Sequence, residues 1–339
     1  MTVYILIFFA ALFVSLAGTP LVRQSAVHLG VVDVPSARKV HASPMPLLGG
    51  AAVYLGFVLA LLLFRDVLTL PGHLEQLGGI LGGATIVALF GFWDDSRGKS
   101  MRPLVKLVGQ LLAVTVLIAS GIRVEFLHYI IPNLLITVLW VVGITNALNF
   151  LDNMDGLSSG IAAVAATFFF LLATTNGQIL VASLSAALLG ATLGFLRYNL
   201  TLRPGNQASI FLGDTGALFL GFVLAAVGIK LRFENVDIVT WMIPVMVLGL
   251  PIFDMTLVTI SRLRRGISPF TAGKDHVSHR LVALGLTRRE AVLTLYLVAV
   301  VFGLCSLFLL KASIPEGYFT GGVVALCSLA GLIWLEKTQ

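Results

Sequence analysis

Residues 78–106 read GGILGGATIVALFGFWDDSRGKSMRPLVK. From Gly78 to Trp93 there is no charge; Asp94 and Asp95 then arrive together, followed by Arg97, Lys99, Arg102 and Lys106. A helix needs about 20 residues to cross about 30 Å of hydrocarbon. A basic cluster just past the end of such a run marks the cytoplasmic side of a membrane. This one stretch therefore predicts a transmembrane helix that ends in two acids at the water boundary.

The same pattern recurs along the chain. Apolar runs lie near 3–21, 47–64, 78–93, 104–121, 131–149, 157–175, 179–196, 214–231, 238–257, 290–310 and 319–335. The 339 residues are 58% hydrophobic and 11% charged, whereas a soluble domain carries about 25% charged residues. Disorder, collagen, coiled coil and an ordinary cytosolic enzyme are excluded. Backbone groups in lipid must pair internally, and the runs lack the alternation of a barrel strand, so helices follow. The prediction is an all-α integral membrane protein, a polytopic bundle of about 11 transmembrane helices with short loops. The first span is expected to remain in place, because Met1–Tyr4 has no positive charge and no clean small-residue cleavage site follows.

The loops after spans 1, 3, 5, 7 and 9, with the tail, hold 17 of the 22 lysines and arginines. That side is cytoplasmic by the positive-inside rule, which puts the N-terminus outside and the C-terminus in the cytoplasm. The net charge of +6 is this topology signal together with attraction to membrane lipids, and it implies no nucleic acid. Cys305 and Cys327 both sit in apolar runs, so neither a disulfide framework nor a cysteine-based zinc site is expected.

The acids are less evenly placed than topology requires. Asp94 and Asp95 close span 3, Asp152 and Asp155 follow span 5 in NALNFLDNMDGL (146–157), and Asp214 opens span 8 in FLGDTGALFLG (211–221). By parity all five share the cytoplasmic boundary. Any single boundary acid reads most simply as solvated or helix-capping. Three such sites on one face, interleaved with Asn146 and Asn149, form an oxygen-rich set suited to Mg²⁺ or Mn²⁺, which share their shell with substrate phosphates.

Cations and imidazoles join them from DVPSARKVHASPMPLLGG (33–50), with Arg38, Lys39 and His41, and from GKDHVSHRL (273–281), with Lys274, His276, His279 and Arg280. His276 and His279 lack local partners for zinc; phosphate contact or proton transfer suits them better. Asp254 in PIFDMT (251–256) is an intramembrane acid and so a functional candidate, with Arg262 two turns on as its expected partner and Pro251 expected to break the helix. Divalent metal, several carboxylates and a ring of cations point to phosphoryl transfer. No GxxxxGK[ST] loop is present, so the P-loop template does not apply, and a lipid phosphate suits a chain that is nearly all membrane. A transporter would instead show internal repeats and polar groups at midplane.

From Asp33 to about Leu281 these motifs resemble the bacterial polyprenyl-phosphate N-acetylhexosamine-1-phosphate transferases, the integral-membrane group that starts O-antigen, enterobacterial common antigen, teichoic acid linkage units and the MurNAc-pentapeptide lipid. The resemblance implies that a UDP-N-acetylhexosamine and undecaprenyl phosphate react with Mg²⁺ (Mn²⁺ as substitute) to give undecaprenyl-diphosphate-sugar and UMP. That would be the first membrane step of a cell-envelope polysaccharide. It implies one transferase domain over 1–339, multi-pass in the inner (cytoplasmic) cell membrane. Its site would face the cytoplasm, built from loops 22–46, 94–106, 146–157, 197–214 and 258–289, and a homodimer is also implied.

Matched position by position, the family makes Asp94 the residue that deprotonates or orients the lipid phosphate, with Asp95 supporting it. Asp214 becomes the Mg²⁺ ligand with Asn149 beside the metal. Lys39, His41, Asn146, Asp152, Asp155, His276, His279 and Arg280 become substrate-binding. Asn153 stands where many members have Gly, and Ser278 replaces a middle His. The first loop, RKVHASPMPLLGG, looks closer to the GlcNAc-1-phosphate branch than to the MurNAc-pentapeptide branch; an N-acetylfucosamine-type sugar is a further alternative. Direct attack by the lipid phosphate and a two-step route through an aspartyl nucleophile both remain open.

Overall fold

The computed structural model describes residues 1–34, 44–68, 72–97, 101–200, 207–231, 239–271 and 273–337. Lys39 and His41 lie outside these. The described residues form thirteen α-helices and one short two-stranded hairpin, β1 (Val32–Asp33) and β2 (Met45–Pro46). Eight helices are long and apolar enough to cross a membrane. The chain divides into two compact units, Met1–Leu231 and Arg232–Gln339.

The first unit holds α1 (Thr2–His28), α2 (Gly49–Leu63), α3 (His73–Ser96), α4 (Pro103–Ala119), α5 (Ile130–Leu151), α6 (Leu157–Thr175), α7 (Ile179–Asn199) and α8 (Gly213–Lys230). Each coincides with one expected apolar run, though α2 and α4 fall short of a full span at 15 and 17 residues. Helix α8 is apolar all round and buried all round, touching α2, α3, α5, α6 and α7; a helix without a polar face belongs at the centre. The acid that opens it, Asp214, is thereby fixed at the end of the innermost helix. Trp140 of α5 donates its indole N–H to the Ala225 carbonyl of α8 at 3.1 Å. The outward surface is apolar, with Phe13 and Leu139 59% and 72% exposed, as expected of a face that meets lipid rather than water.

Two local features tie the entry of α8 to its neighbours. Leu48 adopts a left-handed backbone with φ 75°, a cost on the order of 1 kcal/mol for a residue with a side chain. It lets Gly49 and Gly50 donate their N–H groups to the carbonyls of Phe211 and Leu212 at 3.0 and 2.8 Å. The stripe of glycines along α3 is a packing stripe, as small residues at this spacing commonly are in membranes. Gly79 faces Ser120, and Gly83 faces the Phe222 ring. The apolar run Phe168 to Phe170 reads from sequence most simply as lipid-facing; Phe168 and Phe169 are instead 7% and 0% exposed and Phe170 half-buried, because α6 is enclosed rather than peripheral.

The second unit holds α9 (Met242–Val247), α10 (Gly249–Arg264), α11 (Val277–Ala283), α12 (Arg288–Leu309) and α13 (Ile314–Glu336). The expected run 238–257 is divided at Leu248, three residues before Pro251. Proline is tolerated in a first helical turn, where its missing N–H has no partner to lose. The break therefore falls just ahead of it. Helices α12 and α13 each start with a capping box, Thr287 with Glu290 and Ser313 with Glu316.

Candidate functional site

The C-terminal turn of α3 delivers Asp94 and Asp95 to the start of α8. Asp95 accepts the backbone N–H groups of Asp214 at 2.9 Å and Thr215 at 3.0 Å, and the Thr215 hydroxyl at 2.6 Å. A carboxylate at a helix N-terminus satisfies unpaired N–H groups and meets the positive end of the helix dipole. Asp95 is thus the N-terminal cap of α8, donated by another helix, and its three acceptor bonds set where Asp214 points. The approach is close. Gly213 has φ 72°, and a Cβ there would lie 2.6 Å from an Asp95 carboxylate oxygen. A Cβ on Gly91, one turn before Asp95, would lie 2.5 Å from backbone atoms of Asp214 and Thr215.

Asp94 and Asp214 share a cation. The Lys106 ammonium, from the first turn of α4, contacts Asp94 Oδ2 at 2.5 Å and also Asp214 Oδ2. The other Asp94 oxygen accepts the Met101 N–H. The other Asp214 oxygen accepts the Asn149 amide from the last turn of α5 at 2.8 Å. Four helices therefore converge: α3 and α8 bring acids, α4 a base and α5 an amide. Asp152, just past α5, has its carboxyl pushed well above the ordinary carboxylate range by burial and by the charges of Asp214, Asp95 and Asp155. That raised value is the mark of carboxylates crowded together, a locality that a further cation would relieve.

Among the described residues no three His, Cys, Asp or Glu side chains gather as a self-sufficient metal cage. Mg²⁺ does not require one, because it is usually held by one or two carboxylates with water and substrate phosphates completing its shell. Asp214 and Asp94, already converging on one cation, fit that donor set.

Asp155 serves the chain itself, accepting the Ala208 N–H at 3.1 Å. Asn199 clips the same turn to the approach of α8: its oxygen accepts the Gly156 N–H at 2.9 Å, and its amide donates to the Ile210 carbonyl at 3.0 Å. Asn146, expected at the substrate, is bonded to Gln110 of α4. Lys106, Thr215, Gln110 and Asn199 were not singled out from sequence. The available signal was polar side chains such as Lys106 and Gln110, one turn apart at the head of an apolar run, where such groups are costly unless partnered.

In the second unit, Asp254 is fully buried and accepts His276 Nδ1 at 2.8 Å and the Val277 N–H at 2.8 Å. The expected Asp254–Arg262 pair is not formed. Arg262 grips Asp275 bidentately at 2.7 and 2.8 Å, and Arg265 adds a third contact at 2.7 Å. These arginines thus build the approach to α11. Burial would raise the Asp275 carboxyl, but the Arg262 hydrogen bonds and charge prevail and bring it to about 2. His279 is pushed down to about 4, first by burial and then by the nearby charges of His276, Lys274 and Arg288.

A cavity of about 280 Å³ opens beside this loop, lined in part by Arg262, Arg265, Lys274 and Asp275. Arg280, expected to grip a diphosphate, is 2% exposed and donates to the Asp275 and Leu335 carbonyls and the Ser261 hydroxyl. Its guanidinium belongs to the packing of the loop against the end of α13, because a buried cation must satisfy its donors locally.

Comparison with known proteins gives a consistent result. A family model described as glycosyl transferase family 4 matches residues 77–232, the stretch that carries Asp94, Asp95, Lys106, Asn149 and Asp214. The chain is 35% identical over 319 residues to a Bacillus subtilis (strain 168) protein named "Probable undecaprenyl-phosphate N-acetylglucosaminyl 1-phosphate transferase", with 91% of this chain and 85% of that one covered. It is 32% identical over 351 residues to the decaprenyl-phosphate N-acetylglucosaminephosphotransferase of Mycobacterium tuberculosis (strain ATCC 25618 / H37Rv), covering 93% and 85%. It is 26% identical over 286 residues to the undecaprenyl-phosphate alpha-N-acetylglucosaminyl 1-phosphate transferase of Yersinia pestis, covering 82% and 76%.

Proposed function

This chain belongs to glycosyl transferase family 4, and we propose that it transfers N-acetylglucosamine 1-phosphate from UDP-GlcNAc to undecaprenyl phosphate, releasing UMP. The observation that carries the reading is the convergence of Asp94 and Asp214 on one cation position, held from four helices. In the proposed reaction an oxygen of the lipid phosphate bonds to the sugar-bearing phosphorus. The bond from that phosphorus to the bridging oxygen breaks, and UMP leaves with that oxygen and the bond's electron pair. A phosphate monoester has a second pKa of about 6, so the nucleophile is already largely ionised at neutral pH and direct attack needs no strong base. Asp94, bonded to Lys106 and the Met101 N–H, suits orientation better than proton abstraction.

Lys106 supplies positive charge beside the site of transfer, where preorganised electrostatics is the usual main contribution. Asp95 and Thr215 keep Asp214 aimed without touching substrate. Mg²⁺ would be held by Asp214 and Asp94 with Asn149 alongside, and when bound it neutralises charge on the diphosphate. Asp152 and Asp155 are proposed at the nucleotide end, and His276 and His279 at the diphosphate and sugar, on the resemblance of their motifs alone. We place the chain in the inner cell membrane as eleven spans, counting α2, α4 and the divided α9–α10 with the eight long helices. The N-terminus is then outside and the site faces the cytoplasm.

The test is UMP release by the purified chain with undecaprenyl phosphate and a panel of UDP-sugars, with and without EDTA. Turnover with UDP-GlcNAc that EDTA abolishes supports the reading. Turnover only with UDP-MurNAc-pentapeptide moves the chain to that branch. Turnover unaffected by EDTA removes the metal.

A further inference from the structure

Helix α4 contributes one group to the cluster, and that group is the least constrained of its members. A lysine side chain carries about 2 kcal/mol of rotamer entropy, yet Lys106 must meet two carboxylates from two other helices at once. Helix α4 rests against α3 where Gly109 faces the Phe90 ring. Further along, Gly82 faces Val116 and Gly83 the Ala113 carbonyl, so this packing holds the two helices together, while the alignment of Lys106 with the partner helix α5 needs a directional bond between α4 and α5.

One turn below Lys106 lies Gln110, 2% exposed. Its amide nitrogen donates to Asn146 Oδ1 at 3.2 Å, and its carbonyl accepts the Asn146 amide at 2.8 Å. The Asn146 amide also donates to the Val142 carbonyl of its own helix at 2.8 Å, which holds that side chain in place. Among the described residues, this reciprocal pair and the Lys106 contacts are the side-chain hydrogen bonds that join α4 to other helices. The receiving side is rigid. Next to Asn146, the Thr145 backbone packs so closely on α8 that a Cβ at Gly221 would lie 2.6 Å from its Cα. Three residues beyond Asn146, Asn149 bonds Asp214.

We propose that the Gln110–Asn146 amide pair is a positioning clamp for the reaction. It fixes the rotation of α4 against α5, so that Lys106 from one helix and Asn149 from the other reach the same carboxylate, Asp214. Neither amide contacts substrate. The directional bond lies inside the bundle, where an unpaired amide would be costly, so the pair has one strongly favoured arrangement. This inference rests on the proposed reaction.

The experiment is steady-state UMP release from UDP-GlcNAc with undecaprenyl phosphate and Mg²⁺, on variants that purify as a single species. Gln110→Met is expected to lower kcat on the order of 10-fold or more, as misplacement by a fraction of an ångström does, with KM for UDP-GlcNAc unchanged. Should that variant fail to purify, Asn146→Ala carries the same test. In a Lys106→Met background the added loss from Gln110→Met should fall below about twofold, because the clamp acts through the lysine. The reversed pair, Gln110→Asn with Asn146→Gln, should recover most of kcat. A raised KM with unchanged kcat would place the amides on the substrate and overturn the clamp, as would a full multiplicative loss in the Lys106→Met background. A wild-type chain that releases no UMP refutes the functional reading; a wild-type chain that turns over while its variants match it refutes the clamp.

Discussion

Replacing Gly91 by alanine adds one methyl group to α3, and the geometry says what that methyl does to the site. Its Cβ would lie 2.5 Å from the Asp214 carbonyl oxygen and from the Thr215 N and Cα, all backbone atoms that cannot swing aside; ordinary contact begins at 3.4 Å. The two helices must therefore part by about 0.9 Å at this point, the difference between those two distances. Asp95 lies one turn further along α3 and bonds the start of α8 at 2.9, 3.0 and 2.6 Å. A separation of that size takes all three past the roughly 3.2 Å limit of a good hydrogen bond. It also moves Asp94 away from Asp214, so that Lys106 no longer meets both acids. Displacement of catalytic groups by about 1 Å costs roughly 100-fold in rate, so kcat for UMP release should fall by about that factor. Gly78→Ala on the same helix is the control, because nothing lies within 4 Å of its Cβ. Wild-type kcat in a folded Gly91→Ala protein would refute the claim that the α3–α8 contact sets the site.

Three further outcomes follow from other contacts. Thr215→Val removes the shortest donor to Asp95, worth about 1.5–3 kcal/mol for a charged acceptor. Thermal unfolding in detergent should shift down and kcat should fall with KM for UDP-GlcNAc unchanged, whereas a change confined to KM would place Thr215 on the substrate. Arg280→Met removes the buried donors to the Asp275 and Leu335 carbonyls and the Ser261 hydroxyl, at a cost on the order of 1–3 kcal/mol; its unfolding midpoint should drop, whereas loss of UDP-GlcNAc affinity at unchanged stability would place Arg280 in the binding site. The second unit should lose stability on acidification in two steps. His279, lowered to about 4 from its usual 6.5, binds its proton more readily when unfolded, so its contribution is complete above about pH 6.5 and lost as pH falls towards 4. Asp275, lowered to about 2, contributes above its unfolded value near 4 and is lost as pH falls through 2. A histidine NMR titration with the His279 midpoint near 6.5 would contradict the first step.

Much of the helical layout was legible because hydrocarbon thickness imposes a length that can be counted. The boundary acids were legible because an acid that near to lipid is costly and therefore informative. Partnerships were less so. Asp254 and Arg262 lie two turns apart on α10 and looked like a pair, yet loop residues from further along the chain, His276 and Asp275, claim them. Asn146 and Asn149 share a helix face, but three residues of offset send one to Gln110 and the other to Asp214. Lys106 was counted only as a membrane anchor, because charge counts along a chain do not reveal that two distant acids converge on one base. Phe168 and Phe169 were misplaced for a related reason: an apolar residue suits lipid and a neighbouring helix equally well, and only the packing of α6 decides.

The most direct measurement is UMP release from UDP-GlcNAc and undecaprenyl phosphate by the purified chain beside its Asp214→Asn variant, at equal folded concentration. Steady turnover by the first and a loss of roughly 100- to 1,000-fold in the second, on the order expected when a principal electrostatic group of a transfer site is removed, is the predicted result. Equal rates from the two proteins would contradict the placement of the reaction at the α3–α8 junction.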